Sequence, residues 1–348
     1  MVVAKKIYER MIDDISGQIF LMRLNYSITD EDVYIERLLD LSIRKEMVWS
    51  DFCTKMRSLD NRKTVLFGSG IWGGFLLNEL KDIRFKAIID NSTEPKQRDD
   101  IPVINAKEFF SHYSGEKIVI SSYKNRESMI SQCMASGVKQ ADIIDASSIM
   151  YELTEGKIYF DKDIPLYMNG GLFIDGGCFD GTDTARFIDS FKGESLCFEP
   201  DVKNIEKIKN KLKDYNQDRF RIIPKGLWSE SGTVSFSADG ACGSRIKSSQ
   251  EGNDTVETIT IDEAVGDKKV LMIKMDIEGA ETDALKGSKQ VIRRDHPVLA
   301  ISIYHKPEDI IEIPDSILSI CDEYKFYLRH YSFSWYDTVL YAIPQEMI

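Results

Sequence analysis

"FIDGGCFDGTD", residues 173–183, decides how the rest of the chain is read. An apolar run ends in Asp175, two glycines follow, then Asp180 and Gly181. This pattern predicts a buried strand feeding a tight turn, with Thr182 or Asp183 capping a helix beyond it. The two acids would repel a pyrophosphate at close range and welcome a cation. S-adenosylmethionine brings two positive groups, its sulfonium and its amino group. Gly176 and Gly177 would let backbone pass close to its methionine end. Glu199 ends the next apolar run, "SLCFE", 24 residues past Asp175. Its two oxygens can accept from both hydroxyls of a ribose.

A second glycine stretch, "VLFGSGIWGG" at 65–74, contains no acid. Gly68, Gly70 and Gly73 give G-x-G-x-x-G between strand and helix patterns, and Asp90 ends the next apolar run. That is the dinucleotide fingerprint: glycines admit a pyrophosphate, the helix N-terminus faces it, and the acid reaches a ribose. Two readings stand here: a second nucleotide or nucleotide-sugar site, or glycines that only allow a helix to pack tightly on a strand.

Outward from these turns the chain divides in three. Residues 1–60 read as helices, with Ile7, Met11, Ile15, Ile19 and Met22 on one face and a second start capped by Thr29 or Asp30. Residues 61–147 alternate short strands and helices, which predicts a small Rossmann-like α/β domain. Residues 148–348 repeat that alternation at greater length. They close on "KFYLRHYS" and "TVLYAIP", whose short connection demands an antiparallel hairpin. A parallel sheet ending in such a hairpin suggests the seven-stranded class I methyltransferase fold. "GTVSFSADG" reads as an extra strand in an insertion, and the loop around "SADGACGSRIKSSQEGND" as acceptor-binding.

Two further stations lie on this sheet. In "VLMIKMDIEGAETDALKG", 270–287, Lys274 and Asp276 alternate onto one face, so Asp276 is the expected partner of the lysine. Asp276 also ends a strand, where ligand sites gather in parallel sheets. Glu278 and Glu281 open the following helix, either to favour its dipole or to serve the site. In "ISIYHKPED", 301–309, His305 ends the fifth strand on the same sheet edge. Of the four histidines, it is the best-placed titratable base; His112 and His296 have nothing suggestive nearby, and His330 lies mid-strand near the end hairpin.

The bulk properties narrow the class. A net charge of −12 and a pI near 5.0 are a poor match for phosphate backbones, so nucleic acid is not expected as a partner. The six cysteines form no C-x-x-C pair, which argues against a zinc knuckle or redox dithiol and for reduced thiols. No signal peptide or membrane span is read, so a cytoplasmic location is expected.

Together, "FIDGGCFDGTDT", "CFEPD", "VLMIKMDIEGAETDALKG", "HPVLAISIYHKPEDI" and "YLRHYSFSWYDTVLYAIP" resemble the FkbM-type methyltransferases over about 160–348. The residues before them resemble the extension on some longer members. The resemblance implies S-adenosylmethionine-dependent methylation, usually of an oxygen on a sugar or other secondary metabolite. By motif match, Asp175, Gly176, Gly177, Asp180, Gly181 and Glu199 would hold the cofactor, and Asp276, Glu278 and His305 would line the methyl-transfer end. The third strand ends "IIPKGLWSE" without an acid for the adenine amine, so Gly226 and Leu227 would hold it by backbone. His305 is expected as base with Asp276 orienting cofactor or acceptor, or the reverse. No metal is assigned, although Asp276, Glu278 and His305 could offer ligands. The rival readings are an oxidoreductase using the 65–74 turn, and an N-terminal module for docking, homo-oligomerisation or recognition of a nucleotide-sugar carrier.

Overall fold

The computed structural model describes residues 2–92, 97–98, 100–166, 169–237, 245–247 and 254–348. The chain forms two compact units. One joins Met1–Leu38 to Ile158–Ile348; the other is Leu39–Lys157. The expected boundaries therefore shift. Residues 1–60 do not form one segment but divide between the two units.

Among the described residues, the larger unit builds a seven-stranded sheet from β1 (Leu172–Gly176), β2 (Glu194–Phe198), β3 (Phe220–Ile223), β4 (Val270–Met275), β5 (Val298–Ser302), β6 (Tyr324–His330) and β7 (Thr338–Pro344). Their order is β6-β7-β5-β4-β1-β2-β3. All neighbours run parallel except β7, which is antiparallel to both β5 and β6. This is the hairpin that the short final connection required. The central strands are buried and mostly apolar because helices cover both faces, with Asp175 and Lys274 as charged exceptions. On one face Phe173, Phe187, Met272, Val298 and Tyr341 form a common core. The edge strand β6 alternates buried and half-buried residues instead.

The N-terminal helical stripe is interrupted. Helices Val2–Tyr8 and Asp14–Thr29 are separate, because Asp13 caps the second by accepting from Ser16 N at 2.8 Å. The residues between them lie along β6: Ile12 N donates to Phe326 O, and Phe326 N to Arg10 O, each at 2.9 Å. They cover the open edge of the sheet. The expected second start also moves. Asp30 closes helix Asp14–Thr29 in a left-handed conformation, and the next helix begins at Asp32.

The "GTVSFSADG" strand appears as Gly232–Ser237 in a small separate sheet with Gly226–Leu227, Arg245–Lys247 and Asp254–Ile259. Most of the expected acceptor loop lies outside the described residues. The smaller unit carries a second sheet, ordered 97–98, 101–105, 87–90, 64–67, 117–120, 143–145, with only its outermost pair antiparallel. No helix of the described residues is long and apolar enough to cross a membrane.

Candidate functional site

The site residues of the larger unit gather at the carboxyl ends of β1, β2, β4 and β5. Parallel pairing sets Lys274 beside Asp175 and Met275 beside Gly176. Lys274 Nζ accordingly meets Asp175 Oδ1 at 3.1 Å and Gly177 O at 2.7 Å, with Asp183 Oδ2 at 3.8 Å. Thr184 Oγ1 donates to the other oxygen of Asp175 at 2.7 Å. Two expectations are corrected here. The partner of Lys274 is Asp175, its cross-strand neighbour, and not Asp276 two residues along. Asp175 itself is fully buried, with its charge matched inside the protein, so it does not face a ligand.

Gly177 has φ +73, and a Cβ there would lie 1.9 Å from Asp276 O. Only glycine lets the turn lie this close to the end of β4. A Cβ on Gly176 would meet Leu227 Cδ1 at 2.8 Å, so Leu227 and Gly226 belong to the same corner. Gly181, with φ +83, is the cap residue of helix Thr182–Phe191, and Asp180 Oδ1 accepts from Thr182 N at 3.0 Å. Thr182 and Asp183 are thus the first helical residues and not its cap. Glu199 takes Phe179 N on one oxygen (3.0 Å) and Asp201 N on the other (2.9 Å). The Asn204 side chain is a third donor to this carboxylate, which still has acceptor capacity left. Burial pushes the Glu199 carboxyl above its ordinary value despite these bonds.

Beside this turn, Asp276 N donates to Gly176 O at 3.1 Å. The Asp276 carboxylate receives Tyr159 Oη at 2.8 Å and Tyr304 Oη at 3.1 Å, and His305 Nε2 lies 3.3 Å away. His305 Nδ1 lies 3.0 Å from Glu281 Oε1, and Glu278 Oε2 is 3.7 Å from Nε2. Burial alone would lower the His305 pKa, but Asp276 and Glu281 on opposite ring nitrogens outweigh it and raise it to about 11. Burial likewise opposes ionisation of Asp276, yet His305, Lys274 and Tyr159 hold its carboxyl far below the usual range. Carboxylates beside both ring nitrogens favour the imidazolium form of His305. Of the two residues expected as base, this arrangement favours Asp276, because a doubly protonated ring cannot accept a proton.

The structure adds residues that the sequence reading did not select. Tyr159 lies 117 positions from Asp276 and carried no signal. Tyr304 stands beside His305 in the quoted strand end, and its burial was the missing information. Asp183, near Lys274 and Arg186, has its pKa raised by burial to about 6. Donor atoms of Asp276, Glu281 and His305 lie within 4.8 Å of one another, close enough to hold a divalent cation as well as a proton. His330 is buried and neutral, its pKa pushed down to about 3 first by burial and then by Arg23.

In the smaller unit the glycine turn closes on itself. Asp90 Oδ2 accepts from Ser69 N at 2.9 Å and Ser69 Oγ at 2.6 Å, and its other oxygen accepts from Ser92 N at 2.8 Å. Arg98 Nη1 donates to Ser69 O. A Cβ on Gly73 would lie 2.2 Å from Gly68 O, whereas one on Gly70 would meet nothing within 4 Å. Gly68, Gly70, Gly73 and Asp90 are thus brought together, but the acid expected to reach a ribose is bonded to the turn it follows.

With this geometry established, the chain can be set beside known proteins. The family model of the methyltransferase FkbM domain matches residues 175–333, which span both glycine-turn acids of the larger unit and every member of the Asp276 cluster but Tyr159. It is similar to the 2-O-methyltransferase NoeI of Sinorhizobium fredii, 25% identical over 146 residues, covering 35% of this chain and 59% of that protein. The match thus spans less than two thirds of that relative's length. Among solved structures, the methyltransferase FkbM of Methylobacillus flagellatus KT aligns with 85% of this chain and 93% of its own (TM-score 0.49, 20% identity). An rRNA-methylase described for Clostridium thermocellum aligns with 52% of this chain and 90% of its own (TM-score 0.36, 14% identity).

Proposed function

We propose that the larger unit transfers the methyl group of S-adenosylmethionine to a hydroxyl of a sugar or other small metabolite. The observation that carries this reading is Asp276: a carboxylate fixed by two tyrosine hydroxyls and an imidazolium, beside the glycine turn.

The charge around the turn suits the cofactor. Lys274 is already paired with Asp175, while Asp180, Asp183, Glu199, Asp276 and Glu278 leave an excess of acids. That excess attracts a sulfonium and an ammonium and repels a pyrophosphate. Glu199, through its remaining lone pairs, would take the ribose hydroxyls. Gly176, Gly177, Asp180 and Gly181 would hold the methionine end, and Gly226 and Leu227 the adenine. When bound, S-adenosylmethionine supplies an electrophilic methyl carbon on a positively charged leaving group.

The chain must then align a hydroxyl and take its proton. Asp276 is assigned the second task. An alcohol oxygen becomes strongly acidic as it gains a bond to carbon, so even a carboxylate of depressed pKa can receive the proton late in the transfer. Alignment supplies much of the rate. His305 and Glu281 act on this step by holding Asp276 in one orientation. NoeI, named as a 2-O-methyltransferase, supports an oxygen as the acceptor atom.

Asp276→Asn should lower turnover by about 10²–10⁴-fold while calorimetric titration finds S-adenosylhomocysteine affinity nearly unchanged. Full turnover in that variant removes Asp276 from the mechanism. Absence of binding heat with S-adenosylhomocysteine in the unmutated protein overturns the cofactor assignment.

A further inference from the structure

The connection between β6 and β7, residues 331–337, lies at the same sheet edge as the Asp276 cluster. The register requires this: Ser302 pairs with Val339, and Ile303 N donates to Thr338 O at 3.0 Å, so the connection begins where β5 ends. Tyr331 N to Asp337 O, 2.9 Å, closes its base. Trp335 sits on it with 42% of its surface exposed. Its ring lies 6.2 Å from that of Tyr304, inclined at 67°, and the Tyr304 hydroxyl is the one bonded to Asp276.

Exposed tryptophan on a loop is ordinarily free to turn. Here its backbone is held: Arg23, 5% exposed and reaching in from helix Asp14–Thr29, donates through Nη1 to Trp335 O at 2.6 Å. The buried cation anchors the loop while the indole stays open to solvent. Around the same spot lie the Tyr304 hydroxyl, the His305 ring and more carboxylates than cations. Asp276 accepts from the Tyr304 hydroxyl at 3.1 Å, Glu278 Oε2 lies 3.7 Å from His305 Nε2, and Asp337 is the residue that closes the base of the loop.

An aromatic face beside a rim of hydrogen-bond acceptors matches a pyranose, whose ring has an apolar C–H face and hydroxyls around its edge. The acidic rim disfavours sugars that carry a carboxylate or phosphate. We propose that Trp335, positioned by Arg23, is the platform on which a neutral pyranose acceptor stacks, presenting one hydroxyl towards Asp276. This deepens the methyl-transfer reading and rests on it.

The test loads the full chain with S-adenosylhomocysteine and follows tryptophan fluorescence. The titrants are methyl glycosides of neutral hexoses, deoxyhexoses and N-acetylhexosamines, their uronate and phosphate counterparts, and catechol. Neutral glycosides should bind in preference. Trp335→Ala should weaken that binding about tenfold or more, as truncation of an aromatic anchor does, measured for the variant by calorimetry. Trp335→Phe should keep most of it. Both variants should retain wild-type affinity for S-adenosylhomocysteine. Preference for uronates, phosphates or catechol, no glycoside binding at all, or an alanine variant that binds as tightly as wild type each overturns the platform. Failure of the unmutated protein to bind S-adenosylhomocysteine overturns the methyl-transfer reading beneath it.

Discussion

The two glycine turns, 68–73 and 176–181, follow apolar strands and precede helices, yet they leave different groups for a ligand. In the first, the acid that follows has folded back. Asp90 is bonded to Ser69 and Ser92, and Arg98 is bonded to the Ser69 carbonyl. In the second, the acid inside the strand is neutralised by Lys274, but Glu199 and Asp276 remain at the rim with capacity to spare. Glycines in such a turn report close backbone packing. What a turn can bind depends on which neighbouring charges are still uncommitted.

The largest effect should come from breaking the internal pair of the second turn. Lys274→Met leaves Asp175 buried without a cation, which costs about 3–5 kcal/mol. Chemical denaturation should show the midpoint fall accordingly, and the double change Lys274→Met with Asp175→Leu should recover much of it. A single variant within about 0.5 kcal/mol of wild type would mean that Asp175 is not held by Lys274 and is free to face a ligand after all.

A smaller effect separates packing from binding in the first turn. Gly73→Ala places a methyl group 2.2 Å from the Gly68 carbonyl oxygen, and overpacking of this kind costs about 1–3 kcal/mol. Gly70 has φ −69 and open space around it, so Gly70→Ala should change stability by under about 0.5 kcal/mol. Thermal unfolding of the two variants checks this. Equal losses would contradict the view that, of these two glycines, only Gly73 is there for close packing.

The strands and the final hairpin were legible because apolar runs and connection lengths carry them. The residues of the site were legible where a strand end coincides with a charged residue, as at Glu199, Asp276 and His305. What could not be read was pairing. Alternation put Lys274 and Asp276 on one face, but register between β1 and β4 put Asp175 nearer. Tyr159 comes from outside every motif, and only the folded chain brings it to Asp276. The protonation of His305 was hidden for the same reason. A histidine at a strand end looks like a base until a carboxylate is found on each of its nitrogens. The break at Asp13 was masked by an apolar stripe that continues across it, although the capping residue itself was present.

The two regions should also respond to pH with opposite signs. At Asp90, burial raises the pKa but bonds from Ser69 and Ser92 outweigh it, so the folded value lies below the ordinary 3.8. Its contribution is present above that value and is lost as pH falls through the lower, folded one. At His305, burial lowers the pKa but Asp276 and Glu281 raise it from 6.5 to about 11. Its contribution is complete below the ordinary histidine value and is lost as pH rises towards about 11. Neither group can change stability by more than about 1.4 kcal/mol per pH unit. Denaturation midpoints followed from about pH 7 to about pH 10 should fall for wild type and fall less steeply for His305→Gln. Asp90→Asn should leave that alkaline slope unaltered and instead flatten the loss on the acid side. An alkaline slope that survives intact in His305→Gln would place the titrating group elsewhere and restore His305 as a neutral base.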